Sequence, residues 1–85
     1  MTYQVELSKR AERQLSKLDP DTQASIGAAI DDLAVDPRPS GVKKLKGEET
    51  VYRIRVRDYR ILYEIQDDEL LILVIKIGHR REVYR

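Results

Sequence analysis

The chain has 85 residues, of which 41% are hydrophobic and 36% charged, and its formal net charge at pH 7 is +1. That length fits one domain, 1–85, with a single modest core. The lack of cysteine excludes a disulfide framework and any thiolate nucleophile or metal site. The apolar run Leu70–Ile75 is far short of the ~20 residues of a bilayer span, and MTYQVELSKR holds no apolar signal core. The expected setting is therefore the reducing cytoplasm, with no membrane partner.

Residues Tyr3 to Leu7 alternate apolar and polar side chains, the pattern of a short strand. Ser8 suits the cap of a helix from Lys9 to Leu18 whose inner stripe is Ala11, Leu15 and Leu18. Asp19-Pro20-Asp21 then starts a second helix, with Asp19 as cap and Pro20 in the first helical position. Ile26, Ala29, Ile30 and Leu33 form its buried stripe, and it runs to about Ala34. The pair reads as an antiparallel helical hairpin. Asp36-Pro37-Arg38-Pro39-Ser40-Gly41 ends it, and the loop is expected to continue to Thr50, exposing Lys43, Lys44 and Lys46.

From Val51 the period switches to two. Tyr52, Ile54 and Val56 share one face, and Arg53, Arg55 and Arg57 alternate with them. With Arg57-Asp58 as the turn, Val56 falls opposite Tyr59 and Arg55 opposite Arg60. Tyr59, Ile61, Tyr63 and Ile65 continue the apolar face. After an Asp67-Asp68 turn, Leu70 to Ile77 is apolar on both faces until Lys76, as in a central strand. Gly78 is expected to break it. Lys76 should share the arginine side, alternating with core-facing Ile75 and Ile77. The predicted fold is α+β: an N-terminal strand, a helical hairpin and a three-stranded antiparallel meander, with the helices on one face of a small twisted sheet.

The charge is unevenly spread. Residues 1–42 carry five basic groups and seven acids, residues 43–63 seven and three, and residues 76–85 four and one. One reading is a solvated sheet face whose cations discourage edge pairing. The other is an electrostatic footprint for phosphate. Arg55 opposite Arg60 is a like-charge pair that costs a few tenths to ~1 kcal/mol. A rule broken without structural gain suggests a site, and clustered guanidiniums suit a polyanion through bidentate bonds.

YRIRVRDYRILYEI, followed by an acidic turn and LLILVIKIGHRREVYR, resembles the RelE branch of the RelE/ParE superfamily of bacterial toxins. The helical hairpin and the KKLKG before the β-hairpin fit as well, so the resemblance covers nearly the whole chain. It implies a toxin of a type II toxin–antitoxin system: a ribosome-dependent endoribonuclease, or mRNA interferase, that cuts A-site mRNA without metal or cofactor. The 2′-hydroxyl of the message attacks the adjacent phosphorus. The resemblance places the family's functional positions at Arg53, Arg55, Arg60, Arg80 and Tyr84. Lys43, Lys44, Lys46, Arg57, Lys76, His79 and Arg81 are expected to contact RNA. Some family members have lysine where this chain has Arg53 and Arg55, and one of those lysines is the family's proposed base. Arginine, with a pKa above ~12, cannot take that role. Tyr84, Lys76 and His79 are then the candidate bases. The implied partners are a RelB-like antitoxin, the ribosome and mRNA. A ParE-type, non-enzymatic inhibitor of DNA gyrase and a degenerate RNA-binding homologue are the alternatives.

Overall fold

The structure, a computed structural model, describes residues 2–45, 47 and 50–79. Strand β1 (Gln4–Leu7) leads through Ser8 into helix α1 (Lys9–Ser16) and, after a tight turn, helix α2 (Pro20–Val35). Both helices start as the sequence requires. The Ser8 hydroxyl accepts from the Ala11 N–H at 3.0 Å, and the Asp19 carboxylate accepts from the Thr22 N–H at 3.1 Å. Asp19 also accepts from the Thr22 hydroxyl at 2.6 Å, and these bonds hold its pKa below the ordinary carboxylate range. Helix α1 ends at Ser16 and not at Leu18, because the N–H groups of Lys17 and Leu18 close tighter turns onto the carbonyls of Gln14 and Leu15.

Strands β2 (Lys43–Lys44), β3 (Val51–Val56), β4 (Tyr59–Gln66) and β5 (Leu71–His79) complete a five-stranded mixed sheet in the order β1-β5-β4-β3-β2. The helices cover one face. The core consists of Ala11, Ile26, Ile30 and Leu33 from the helices and Ile54, Ile61, Tyr63, Ile65, Ile72, Val74 and Ile77 from the sheet. Each fully buried isoleucine or leucine among them contributes roughly 1.5–3 kcal/mol. An eight-residue helix such as α1 owes its stability to this packing, since isolated helices of that length do not persist in water.

Three further features depart from the sequence reading. Lys43 and Lys44, expected in a loop, pair with Arg53 and Tyr52 as a short edge strand. Gly78 does not end β5, which continues to His79 with Gly78 opposite Arg60. Ile75 is not core-facing. The β4–β5 register shifts between Leu62 and Tyr63, so Tyr63 pairs with Val74 while Leu62 pairs with Lys76, and Ile75 is the extra residue of a β-bulge. Two residues therefore separate core-facing Val74 from core-facing Ile77. β1 lies parallel to β5, from Gln4 opposite Leu71 to Leu7 opposite Val74.

A candidate phosphate site beside the free edge of β3

The β3–β4 hairpin has the register that the alternation implies: Arg53 opposite Leu62, Ile54 opposite Ile61, Arg55 opposite Arg60 and Val56 opposite Tyr59. Arg57 opens its two-residue turn at φ 56°, in the left-handed region. On the sheet face away from the helices, one row runs Lys43, Arg53, Leu62 and Lys76 across β2, β3, β4 and β5. The next row runs Arg55, Arg60 and Gly78. Five cations thus meet across adjacent strands. Arg53 and Arg60 are half-buried, and Lys76 is only 9% exposed.

Arg60 is the most demanding member. Its Nε and Nη1 are shut off from solvent and have no hydrogen-bond partner among the described residues. Its strand neighbours are Arg55 on one side and Gly78, which is buried and has no side chain, on the other. A buried donor without an acceptor costs about 1–3 kcal/mol, more when charged. An anion that displaces the groups covering Arg60 would supply the missing acceptor.

The β5 segment that presents Lys76 and Gly78 is held from the helix side. β1 ends its pairing at Val74, so the next backbone groups of β5 lack a strand there. Helix α1 supplies substitutes. The Ser8 hydroxyl donates to the Ile75 carbonyl at 2.7 Å, and the Ile77 N–H donates to Gln14 Oε1 at 2.7 Å. The bulge is thereby clamped on both sides of Lys76. Gln14 lies on the inner side of α1, among Ala11, Leu15 and Leu18, and a polar residue there was the sequence signal for this clamp.

A second cluster fixes the loop that delivers Lys43. The Arg38 guanidinium donates to Asp67 at 2.9 Å and to the Tyr52 hydroxyl at 3.3 Å, and lies 5.2 Å from the Tyr52 ring centre. The Tyr3 hydroxyl donates to Asp67 at 2.6 Å. Asp67 is held below its ordinary pKa by Arg38 first and Tyr3 second, and the same bond raises Tyr3. The Tyr63 hydroxyl donates to the Pro37 carbonyl at 2.6 Å, and burial pushes the pKa of that phenol up, which keeps it a donor.

The remaining candidates lie apart from these rows. Lys44 pairs with Tyr52 and is exposed, so it alternates away from Lys43. Arg57 is exposed in the turn. His79 follows Gly78 onto the helix-side face, where its ring meets that of Tyr59 edge-on at 5.7 Å. Lys46, Arg80, Arg81 and Tyr84 lie outside the described residues.

Beside the arginines lies a cleft of about 500 Å³. It follows β3 past the point where β2 stops, between α2 and the loop at residues 39–41. Ala29, Leu33, Ile54 and Val56 give it apolar walls; Lys43, Arg53, Arg55 and Arg60 rim it; and Asp32 is its one acid. The sequence reading missed it because its walls come from three distant segments. No group of three or more potential metal-ligating side chains was found among the described residues. No helix among them is long and apolar enough to cross a membrane.

Known proteins resemble this chain in both fold and sequence. A family model described as the ParE toxin of type II toxin–antitoxin systems, parDE, matches residues 5–84. RelE1 of Methanocaldococcus jannaschii is 32% identical, over 100% of this chain and 98% of its own. The mRNA interferase toxin RelE of Escherichia coli K12 is 28% identical, over 99% of this chain and 92% of its own. The crystal structure of the archaeal RelE–RelB complex from Pyrococcus horikoshii superposes with a TM-score of 0.85 at 28% identity, covering 98% of this chain and 100% of the matched one. A sheet flanked by a helical hairpin, a basic β-hairpin and a match across almost the full length lead to one conclusion: the chain belongs to the RelE/ParE family of toxins from type II toxin–antitoxin systems.

Proposed function

We propose that this toxin is an mRNA interferase that cleaves messages in the ribosomal A site and is neutralised by a RelB-like antitoxin. The observation that carries the reading is the Arg55–Arg60 pair, with two Arg60 nitrogens lacking an acceptor beside Gly78. The RelE relative named an mRNA interferase, and the structure of an archaeal RelE bound to RelB, support it.

The chemistry is an internal transesterification. The 2′-oxygen of one nucleotide bonds to the adjacent phosphorus, and the bond from phosphorus to the 5′-oxygen breaks. A 2′,3′-cyclic phosphate and a 5′-hydroxyl result. The proton of the 2′-hydroxyl passes to a base on the enzyme, and a donor protonates the departing 5′-oxygen. Arg53, Arg55 and Arg60 neutralise charge on the five-coordinate phosphorus, a task for fixed donors in a site partly closed to water. Lys76, on the arginine face, and Tyr84 share the proton-transfer roles, with Arg80 as a further phosphate contact. His79, the third candidate base, lies on the opposite face of the sheet with its ring against Tyr59, so this reading assigns proton transfer to Lys76 and Tyr84. The ribosome supplies much of the rate by holding the message for in-line attack.

The family model carries the ParE description, so gyrase inhibition is the competing activity. A shared fold does not choose between the two. Primer extension on translating ribosomes, run beside a gyrase supercoiling assay, does. The proposal expects A-site cuts with the wild-type chain, none with Arg60→Glu, and unchanged supercoiling. Inhibited supercoiling with intact messages would overturn it.

A further inference from the structure

We infer that the cleft between α2 and the free edge of β3 is a nucleobase subsite, with Asp32 reading guanine in single-stranded RNA. The inference rests on the proposed RNA-cleaving activity and deepens it by assigning a specificity residue next to the phosphate site.

Four observations converge. First, the cleft has apolar walls at Ala29, Leu33, Ile54 and Val56 and a volume of about 500 Å³, ample for a flat base. Second, its rim is the phosphate site itself, since Arg53, Arg55 and Arg60 border it. A strand whose phosphate sits on those arginines therefore has a neighbouring base within reach of the cleft. Third, Asp32 is the one acid among four cations, and its carboxylate makes no hydrogen bond or ion pair with any described residue. A bare carboxylate beside a phosphate site weakens phosphate binding unless it accepts hydrogen bonds from the ligand.

The fourth observation is the backbone of Arg55. Along β3 the Thr50 carbonyl accepts from Ile65 of β4, whereas the Val51 carbonyl accepts from Leu45 on the other side. Odd-numbered residues of β3 thus turn their backbone groups away from β4. Arg53 meets β2, but β2 stops there, and the N–H and C=O of Arg55 face the open edge. The cleft therefore offers a carboxylate, a backbone donor and a backbone acceptor beside an apolar wall. Among the four RNA bases, guanine alone presents two adjacent donors, N1–H and the N2 amino group, which match a carboxylate. Its O6 then accepts from a backbone N–H.

The test is a titration of the isotope-labelled toxin, followed by NMR, with short 2′-O-methyl RNA that lacks the attacking hydroxyl. Oligonucleotides with guanine, inosine or adenine at a single position are compared at low salt, where phosphate contacts are strongest. The expected result is binding of guanine about fivefold or more tighter than inosine, which lacks the N2 amino group, with shifted amides at Asp32 and Arg55. Asp32→Asn and Asp32→Ala should bring that ratio close to one. Arg60→Met should weaken all the oligonucleotides alike and keep the ratio. Equal affinities in the wild type, or a preference that survives both Asp32 variants, would overturn the inference while the cleavage reading stands. Failure to bind any oligonucleotide would overturn the inference as well, while the cleavage reading is decided separately by primer extension on translating ribosomes.

Discussion

Replacing Arg60 with methionine should make this protein more stable and inactive at once. In the native structure Nε and Nη1 of Arg60 are buried without partners among the described residues, and the side chain stands directly across from Arg55. Each half of that arrangement has a cost. An unsatisfied buried donor costs about 1–3 kcal/mol, and a like-charge cross-strand pair costs roughly 0.2–1 kcal/mol. Methionine keeps the length and apolar stem of the arginine and removes both penalties. The net gain should be about 1 kcal/mol or more. For a domain of this size each kcal/mol moves Tm by roughly 4–8 °C, so a rise of at least about 4 °C is expected in a thermal melt. Urea unfolding should show a higher midpoint with an unchanged slope. Cleavage of ribosome-bound message should fall below detection in the same variant. A methionine variant less stable than the wild type would mean that the guanidinium is satisfied in the fold, and the main support for the phosphate site would be gone. A stable variant with full cleavage would separate Arg60 from the chemistry.

Other expectations concern the scaffold. Gln14→Leu removes the acceptor of the Ile77 N–H and should cost about 1–3 kcal/mol by urea unfolding, whereas Gln14→Glu, which keeps an acceptor, should lose far less; equal losses would mean that the clamp on β5 is immaterial. The folded-state pKa values of Asp19 and Asp67 lie below the ordinary ~3.9, so the stability that these residues contribute is complete above that pH and fades as pH falls through the lowered values. Asp19→Asn should keep the cap and the Tm at pH 7 but flatten the decline of Tm below about pH 4; an unaltered acid limb would mean that the Asp19 carboxylate does not contribute to it. Arg57→Gly relieves the left-handed φ of 56° and should at least match the wild type, while Arg57→Val should lose about 1 kcal/mol or more in the same melts; the reverse order would show that the turn is unstrained.

The parts of this protein that sequence alone determined are those governed by near neighbours. Ser8 and Asp19 specify helix starts because a short oxygen-bearing side chain must meet the free N–H groups three residues on. The β3–β4 register follows from alternation on both sides of a two-residue turn, since a slip by one residue would move Ile54 and Ile61 out of the core. That register by itself brings Arg53, Arg55 and Arg60 to one face of the hairpin. Tertiary structure decided the rest, because it depends on segments far apart in the chain. The parallel seating of β1 on β5 joins residues nearly seventy positions apart. The bulge at Ile75 reconciles two apolar faces that both continue through it, and its clamp comes from α1, more than sixty residues upstream. Periodicity cannot show an inserted residue when Leu70–Ile75 is apolar throughout. Lys43 becomes a strand residue only because Arg38, Tyr63 and Asp67 anchor the preceding loop. The cleft at Asp32 exists because β2 is two residues long and stops, an event that nothing in the local composition of α2 or β3 records.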